Sequence, residues 1–424
     1  MSTARAPGPS GEVAIVGAGI GGLTLALALH RAGIACRVFE AAAEIRPLGV
    51  GVNVLPHAAK ALQTLGVLEA LERVAVLTRE SAFFNRFGQH VYSEPAGRWA
   101  GHDAPQLSIH RADLQAVLLD AVRARLGEDR VVTGRACIGV EDLGTHVQLA
   151  LRSADGASRE SAEAAVAVGC DGIHSALRRQ IHPGEGPPRW SGVNMWRGVV
   201  PHAPILSGAS MVRAGWLSVG KMVIYPIRNA IDDAGRQLVN WVAELECAEP
   251  VRRDWSAHGR LDDFLPAFAD WHFDWLDVAA MIRATPTVLA YPMVDQDPLP
   301  RWSFGRVTLL GDAAHPMYPR GSNGAGQAIL DAVCLAEQLA VRGVGAEALT
   351  HYDRIRNAAT AKIVLANRST PPDVILREVH ERSGDKPFAR LEDVVSREAL
   401  EKIAEAYRQV AGLRPAADET RRLS

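Results

Sequence analysis

The sequence predicts a mixed α/β fold: a Rossmann-like nucleotide-binding domain joined to a second domain built on a mostly antiparallel sheet. Three observations predict it. The apolar run Val13-Ala14-Ile15-Val16 leads directly into Gly17-Ala18-Gly19-Ile20-Gly21-Gly22. A second apolar run, Val307-Thr308-Leu309-Leu310, leads into Gly311-Asp312-Ala313-Ala314 far downstream. Between them, from Trp190 to Tyr291, the chain becomes rich in Trp and β-branched residues. Strands alternating with helices at both ends imply a layered sheet, and the central change of composition implies a different lobe.

The elements follow in chain order. Residues 12–40 read as a βαβ unit, in which strand 13–16 enters the glycine turn. A helix carrying Leu23, Leu25, Leu27 and Leu29 comes next, and Gly33 ends it before strand Cys36–Phe39. Leu114, Val117, Leu118, Ala121 and Val122 mark a helix over Asp113–Leu126. Val147, Leu149 and Leu151 alternate with polar neighbours as a half-exposed strand does, and Ala164–Val168 is a short apolar strand ending at Gly169-Cys170-Asp171-Gly172. Longer antiparallel strands are expected at Val199-Val200, Met222–Tyr225 and Leu238–Val242. Trp196, Trp216, Trp241, Trp255, Trp271 and Trp275 cluster there; most should fill a core, and some are candidates to line a pocket for a flat apolar ligand. The expected division is a nucleotide-binding domain over 12–80, 106–189 and 292–368. A second domain takes 190–291 with a hairpin at 81–105, and a helical tail fills 369–424, where Arg397–Val410 reads as a peripheral amphipathic helix.

Composition excludes several functions. A formal charge of −2 with scattered Lys and Arg gives no pull toward nucleic acid or an anionic membrane. No run of eighteen apolar residues exists to span a membrane, and the small-residue stretch Met1–Gly11 has no apolar segment of a signal peptide. Five widely spaced cysteines without a CxxC pair fit a reduced, cytoplasmic protein better than a disulfide framework or a metal site. No metal is expected.

The two glycine segments carry the chemistry. Gly17 permits a tight strand-to-helix turn, Gly19 lets backbone approach a pyrophosphate, and Gly22 lets the helix pack close to its strand. The helix start at Ile20 and Gly21 offers free N–H groups to phosphate oxygens. Glu40, at the end of the next strand, is placed to accept from ribose hydroxyls. A nicotinamide dehydrogenase needs only this first grip. Asp312 supplies an acceptor-only carboxylate suited to a ribityl hydroxyl, and Pro319-Arg320-Gly321-Ser322-Asn323-Gly324-Ala325-Gly326 opens another helix whose N–H groups suit a flavin's pyrimidine edge. One extended FAD molecule needs both grips. Arg111 is a candidate partner for the pyrophosphate. Asp171 either caps the helix that follows it or orders a nearby arginine, and Arg178 is a candidate to meet a second dinucleotide.

The GAGIGG turn, Glu40, Arg111, the Asp171-Gly172 segment and the Gly311–His315 segment fall in the order seen in single-component FAD-dependent aromatic hydroxylases, which the chain resembles to about residue 367. This is the group of 4-hydroxybenzoate and salicylate hydroxylases. Arg46–Asn53, Met195–Val199 and Tyr291–Asp295 look most like the branch that modifies phenazines. The resemblance implies a 4-hydroxybenzoate hydroxylase-like fold. It implies FAD contacts at Gly17, Gly19, Ile20, Gly21, Gly22, Glu40, Ala41, Arg46, Val52, Arg111, Asp171, Asp312, Gly324 and Ala325, with the Asp171–Arg178 segment passing NADH or NADPH. An uncharged residue is expected at position 320 in the nearest relatives, so Arg320 leaves identical substrates unassured.

The implied reaction is hydroxylation of an aromatic or heteroaromatic small molecule, with or without loss of a carboxylate, in secondary metabolism or aromatic catabolism. NAD(P)H reduces the flavin, O2 adds at its C4a, and the hydroperoxide transfers OH to the ring. Since the flavin carries the chemistry, no catalytic residue is assigned beyond the candidates Pro319 and Arg320; His315 is read as structural. Arg320 is also expected to favour an anionic substrate, and Tyr225, Trp241 and Met293 are the other pocket candidates. N-hydroxylation, epoxidation and Baeyer–Villiger insertion remain alternatives, as does a non-catalytic FAD sensor, and the chain could work as a monomer or a homodimer.

Overall fold

A computed structural model describes residues 11–46, 49–251 and 258–412. Its nucleotide-binding layer is a five-stranded parallel sheet in the order Val307–Leu309, Val166–Gly169, Val13–Val16, Cys36–Phe39, Val131–Val132. Every residue of strands 13–16, 166–169 and 307–309 is buried, the continuous apolar pattern of a parallel sheet covered on both faces. Helix Ile20–Arg31 is buried from Gly22 through Leu29, because it lies between this sheet and helix Gly324–Arg342. Helix Arg111–Leu126 begins two residues earlier than its apolar periodicity, as the His110 ring accepts a hydrogen bond from the Ala112 N–H and caps it.

A seven-stranded sheet forms the second layer, in the order Val288–Asp295, Arg189–His202, Gln237–Glu246, Gly220–Arg228, Ser210–Trp216, Glu80–Phe84, His90–Pro95. Its pairs are antiparallel except Ser210–Trp216 with Glu80–Phe84. Period-two alternation divides its side chains between two cores. Trp196, Met222, Ile224, Trp241 and Ala243 point to one, where Phe264, Phe268 and Trp271 cover them. Met195, Val223, Tyr225, Val242 and Met293 point to the other, which Tyr318 joins. Trp275 packs against Phe84 in a tilted pair at the edge of the first core, and Trp216 is half-buried beside the second. Trp255, and Pro47 and Leu48 of the 46–53 motif, lie outside the described residues, as do residues 1–10 of the amino-terminal stretch.

Three short strands, Gly51–Val54, Gln106–His110 and Val76–Thr78, join the layers. The Gly51 N–H donates to Asn240 Oδ1 at 2.7 Å, and Arg197 Nη2 donates to the Gly51 carbonyl at 2.8 Å, pinning this junction to the large sheet. The last helices differ from expectation. Helix Arg397–Ala411 is not peripheral: Leu400, Ala404 and Tyr407 are buried, and with Ile375 and Val379 of helix Val374–Ser383 the first two pack on Phe83 and Tyr92. An amphipathic stripe must cover an apolar face, and the hairpin of strands 80–84 and 90–95 offers one.

Candidate active site

The two glycine segments, remote in sequence, meet in space. Strands 13–16 and 307–309 flank strand 166–169 on its two sides, so both deliver their turns at the same sheet edge. A Cβ built on Gly21 would lie 2.7 Å from Leu310 Cδ2 and 3.4 Å from Ala328 Cβ, so the first turn of one helix rests on the other segment. Gly17 has a φ of +104°, and a Cβ there would come 2.6 Å from the Cys170 carbonyl; a Cβ on Gly22 would strike the Gly17 carbonyl oxygen. Gly19, by contrast, has nothing within 4 Å of a Cβ, and Gly324 nothing nearer than 3.9 Å. No side chain caps the helix starting at Ile20 or the one starting at Gly324. Two open glycines at two uncapped helix starts form a cradle with free N–H donors at either end.

Carboxylates stand at both ends. Glu40 accepts from the Ala18 N–H through Oε2 and from the Ala42 N–H through Oε1, both at 2.8 Å, which fixes it beside the glycine turn. Ala41 next to it is exposed. Asp312 is exposed and makes no hydrogen bond or ion pair within the described residues. Arg111, at the start of its helix, is exposed, and its Cδ lies 3.4 Å from a Cβ built on Gly49. Arg46 is exposed and paired with Glu44, and Val52 sits half-buried on strand Gly51–Val54.

Three readings need correction. Trp241 is fully buried, stacks on Phe264 and donates to Thr285 Oγ1 at 2.8 Å; alternation turns it to the far face of the large sheet, away from the cradle. Tyr225 and Met293 face the near side, but both are buried within the second core, and neither lines the open cavity described below. Burial pushes the Tyr225 phenol up, although Arg197 and Asn53 bond it. Arg178 does not reach toward a second dinucleotide: it is buried, donates to the Ala313 and Ala314 carbonyls at 2.8 and 2.9 Å, and pairs with Glu185. Asp171 takes the capping role, accepting from the Ala176 N–H at 2.7 Å, and its burial pushes its carboxyl up. His315 is structural as read, with Nε2 2.5 Å from Asp331 Oδ2 in a fully buried pair.

The cavity beside the cradle has walls that sequence reading missed. It measures about 90 Å³ and lies between Ser81, Phe83, Met211 and Arg213 of the large sheet, Gly321 and Ser322 of the 319–326 loop, and the last helices. Arg213 is 6% exposed; its Nη1 donates to Ser81 Oγ at 2.5 Å, its Nε faces Asp373 Oδ1 at 3.4 Å, and among the described residues its Nη2 makes no hydrogen bond. A charged residue between Val212 and Ala214, in a strand that is apolar from Met211 onward but for it, was the available signal. Arg320 is half-buried, 5.9 Å from the Tyr318 ring, and its enclosed Nε makes no hydrogen bond among the described residues. At the start of helix Gly324–Arg342, His57 has both ring nitrogens enclosed, with no hydrogen bond to either among the described residues, and burial pushes it down to about 4. Among the described residues no group of His, Cys, Asp and Glu could hold a metal ion, and no helix is long and apolar enough to cross a membrane.

A fold with one cradle for an extended nucleotide and one adjoining cavity defines a class, and comparison with known proteins identifies it. Residues 10–367 match the FAD binding domain family, and the chain belongs to it. It is an FAD-dependent monooxygenase of the aromatic hydroxylase group. The chain is 44% identical over 404 residues to phenazine 1,6-dicarboxylic acid hydroxylase of Lysobacter antibioticus, covering 94% of this chain and 97% of that one. It is 37% identical over 386 residues to 3-amino-4-hydroxybenzoate 2-monooxygenase of Streptomyces platensis, covering 88% and 87%. Among solved structures it resembles Klebsiella pneumoniae HpxO complexed with FAD and uric acid, at 25% identity, a TM-score of 0.73 and 95% of each chain. A salicylate hydroxylase substrate complex shares the fold at 24% identity and a TM-score of 0.69, over 96% of this chain and 98% of that one.

Proposed function

We propose that this enzyme uses NADH or NADPH and O2 to hydroxylate a planar aromatic carboxylate of the phenazine class, held in the cavity beside the cradle. The observation that carries the substrate class is Arg213: a buried guanidinium lines the cavity, and its Nη2, unbonded among the described residues, offers charged N–H donors to a ring carboxylate. The similarity to an enzyme named for phenazine 1,6-dicarboxylic acid supports the same choice. Loss of the carboxylate as the ring is hydroxylated is a second product within this reading.

In this proposal the glycine turn 17–22 and Arg111 hold the pyrophosphate, Glu40 the ribose and Asp312 the ribityl chain. Ala41, Arg46 and Val52 flank the dinucleotide, Asp171 braces the glycine turn, and Gly324 and Ala325 face the ring's pyrimidine edge. Bound FAD supplies the redox and oxygen chemistry. The chain's own residues bind and orient the substrate, exclude water, and offer N–H donors where negative charge collects. Pro319 and Arg320 border the reacting ring, with the enclosed Nε of Arg320 supporting a role toward an anionic group. The five free cysteines fit a cytoplasmic setting, as a monomer or homodimer.

The test measures NAD(P)H oxidation by the purified yellow protein with and without phenazine-1,6-dicarboxylate, and product mass under ¹⁸O2. Stimulated oxidation with one labelled oxygen per product is the expected outcome. Oxidation yielding only hydrogen peroxide across a panel of aromatic carboxylates would refute the hydroxylase reading for this substrate class.

A further inference from the structure

The family match ends at residue 367, yet part of the cavity wall comes from beyond it. Ile375 of helix Val374–Ser383 and Ala404 and Tyr407 of helix Arg397–Ala411 line the cavity opposite the large sheet. This wall is locked in place. Asp373, which precedes the first of these helices and is 1% exposed, accepts a hydrogen bond from buried Lys221 Nζ, which also donates to Glu244 Oε2 at 3.0 Å. Arg408 pairs with Glu94 at 2.8 Å across the cavity rim. Tyr407 Oη donates to Asn367 Oδ1 at 3.1 Å, and it occupies the space a Cβ on Gly321 would need, so the wall touches the 319–326 loop directly.

Resting on the substrate reading above, we propose that the C-terminal helices are the specificity wall of the cavity, with Ala404 setting how large a ring system fits beside Arg213 and Tyr407 fixing the wall against the loop. The small side chain at position 404 leaves room that a larger one would fill, while Arg213, on the opposite wall, still offers its charge to a carboxylate. Ala404 lies on the cavity side of its helix, one turn before Tyr407, so a substitution there alters the space beside Arg213 while Tyr407 keeps its contact with the loop.

The test compares wild type with Ala404→Phe and Ala404→Leu as full-length holoenzymes. Two probes are used, tricyclic phenazine-1,6-dicarboxylate and monocyclic 3-hydroxybenzoate, each titrated by the change it causes in flavin absorbance. Affinity for the tricyclic probe should fall about 10- to 200-fold in the larger variant and less in Ala404→Leu, the range that one to a few methylenes impose in a tight pocket. Affinity for the monocyclic probe should change less than about threefold. Equal losses on both probes, or none on either, overturn the wall. If Ala404→Phe fails to retain FAD, the graded comparison of Ala404→Leu with wild type decides the matter by the same criterion. A wild type that binds neither probe overturns the substrate reading, and the wall falls with it.

Discussion

Replacing Asp331 with Asn tests how the fold supports the ribityl-side turn. The Asp331 carboxylate is fully buried and serves three donors: His315 Nε2 at 2.5 Å and the Gly311 N–H at 3.1 Å on Oδ2, and Arg356 Nε at 2.7 Å on Oδ1. Burial alone would raise this carboxyl, but the His315 and Arg356 charges outweigh it and hold it below the usual range. An Asn side chain has one acceptor oxygen for three donors and turns an amide donor toward one of them. Removing one partner from a buried charge pair costs about 3–5 kcal/mol; Arg356 keeps Gln327 Oε1 at 2.6 Å, so about 3 kcal/mol is expected here. Part of that loss falls on the segment that presents Asp312, since Gly311 and His315 both hang from Oδ2. Loosening one such hydrogen bond, at about 1–1.5 kcal/mol, should weaken FAD binding roughly tenfold. Urea unfolding of the apoprotein gives the first number and FAD titration the second, with Asp385→Asn at the Arg86 ion pair, where both side chains are about 30% exposed, as control. A change under about 1 kcal/mol in Asp331→Asn, matching the control, would refute the argument.

Two further outcomes follow from buried groups. Arg178→Ala removes the donor from the Ala313 and Ala314 carbonyls and should cost about 3 kcal/mol of stability. A variant that unfolds like wild type but shows a raised KM for NADH or NADPH would restore a nicotinamide role for Arg178. His57 makes stability depend on pH with a definite sign. Its ring stays neutral when folded until about pH 4, whereas the unfolded chain takes up the proton near 6.5. The folded state therefore loses about 1.4 kcal/mol per pH unit from pH 6.5 down toward 4 through this residue, and nothing above 6.5. His57→Gln should flatten that slope in urea unfolding at pH 7, 6 and 5; parallel profiles for the two proteins would exclude it.

The sequence by itself determined the nucleotide-binding half. Strand, glycine turn, helix and Glu40 are local features set by backbone sterics, and they fold within about thirty residues because each needs only its chain neighbours. The downstream Gly311-Asp312 turn was equally legible, since its glycine and its acceptor-only carboxylate are adjacent in the chain. Tertiary structure decided what depends on facing. A one-residue step along a strand separates Trp241, sealed in the far core, from Asn240, which holds Gly51 beside the cradle; no pattern in the chain states which face is which until both sheets are packed. The same holds for Arg178, whose charge reads as a ligand contact in sequence but is consumed by two carbonyls from residues 313 and 314. The cavity joins Ser81, Arg213, Gly321 and Tyr407 from four distant segments, and only burial of the C-terminal apolar stripe on the hairpin brings them around one space.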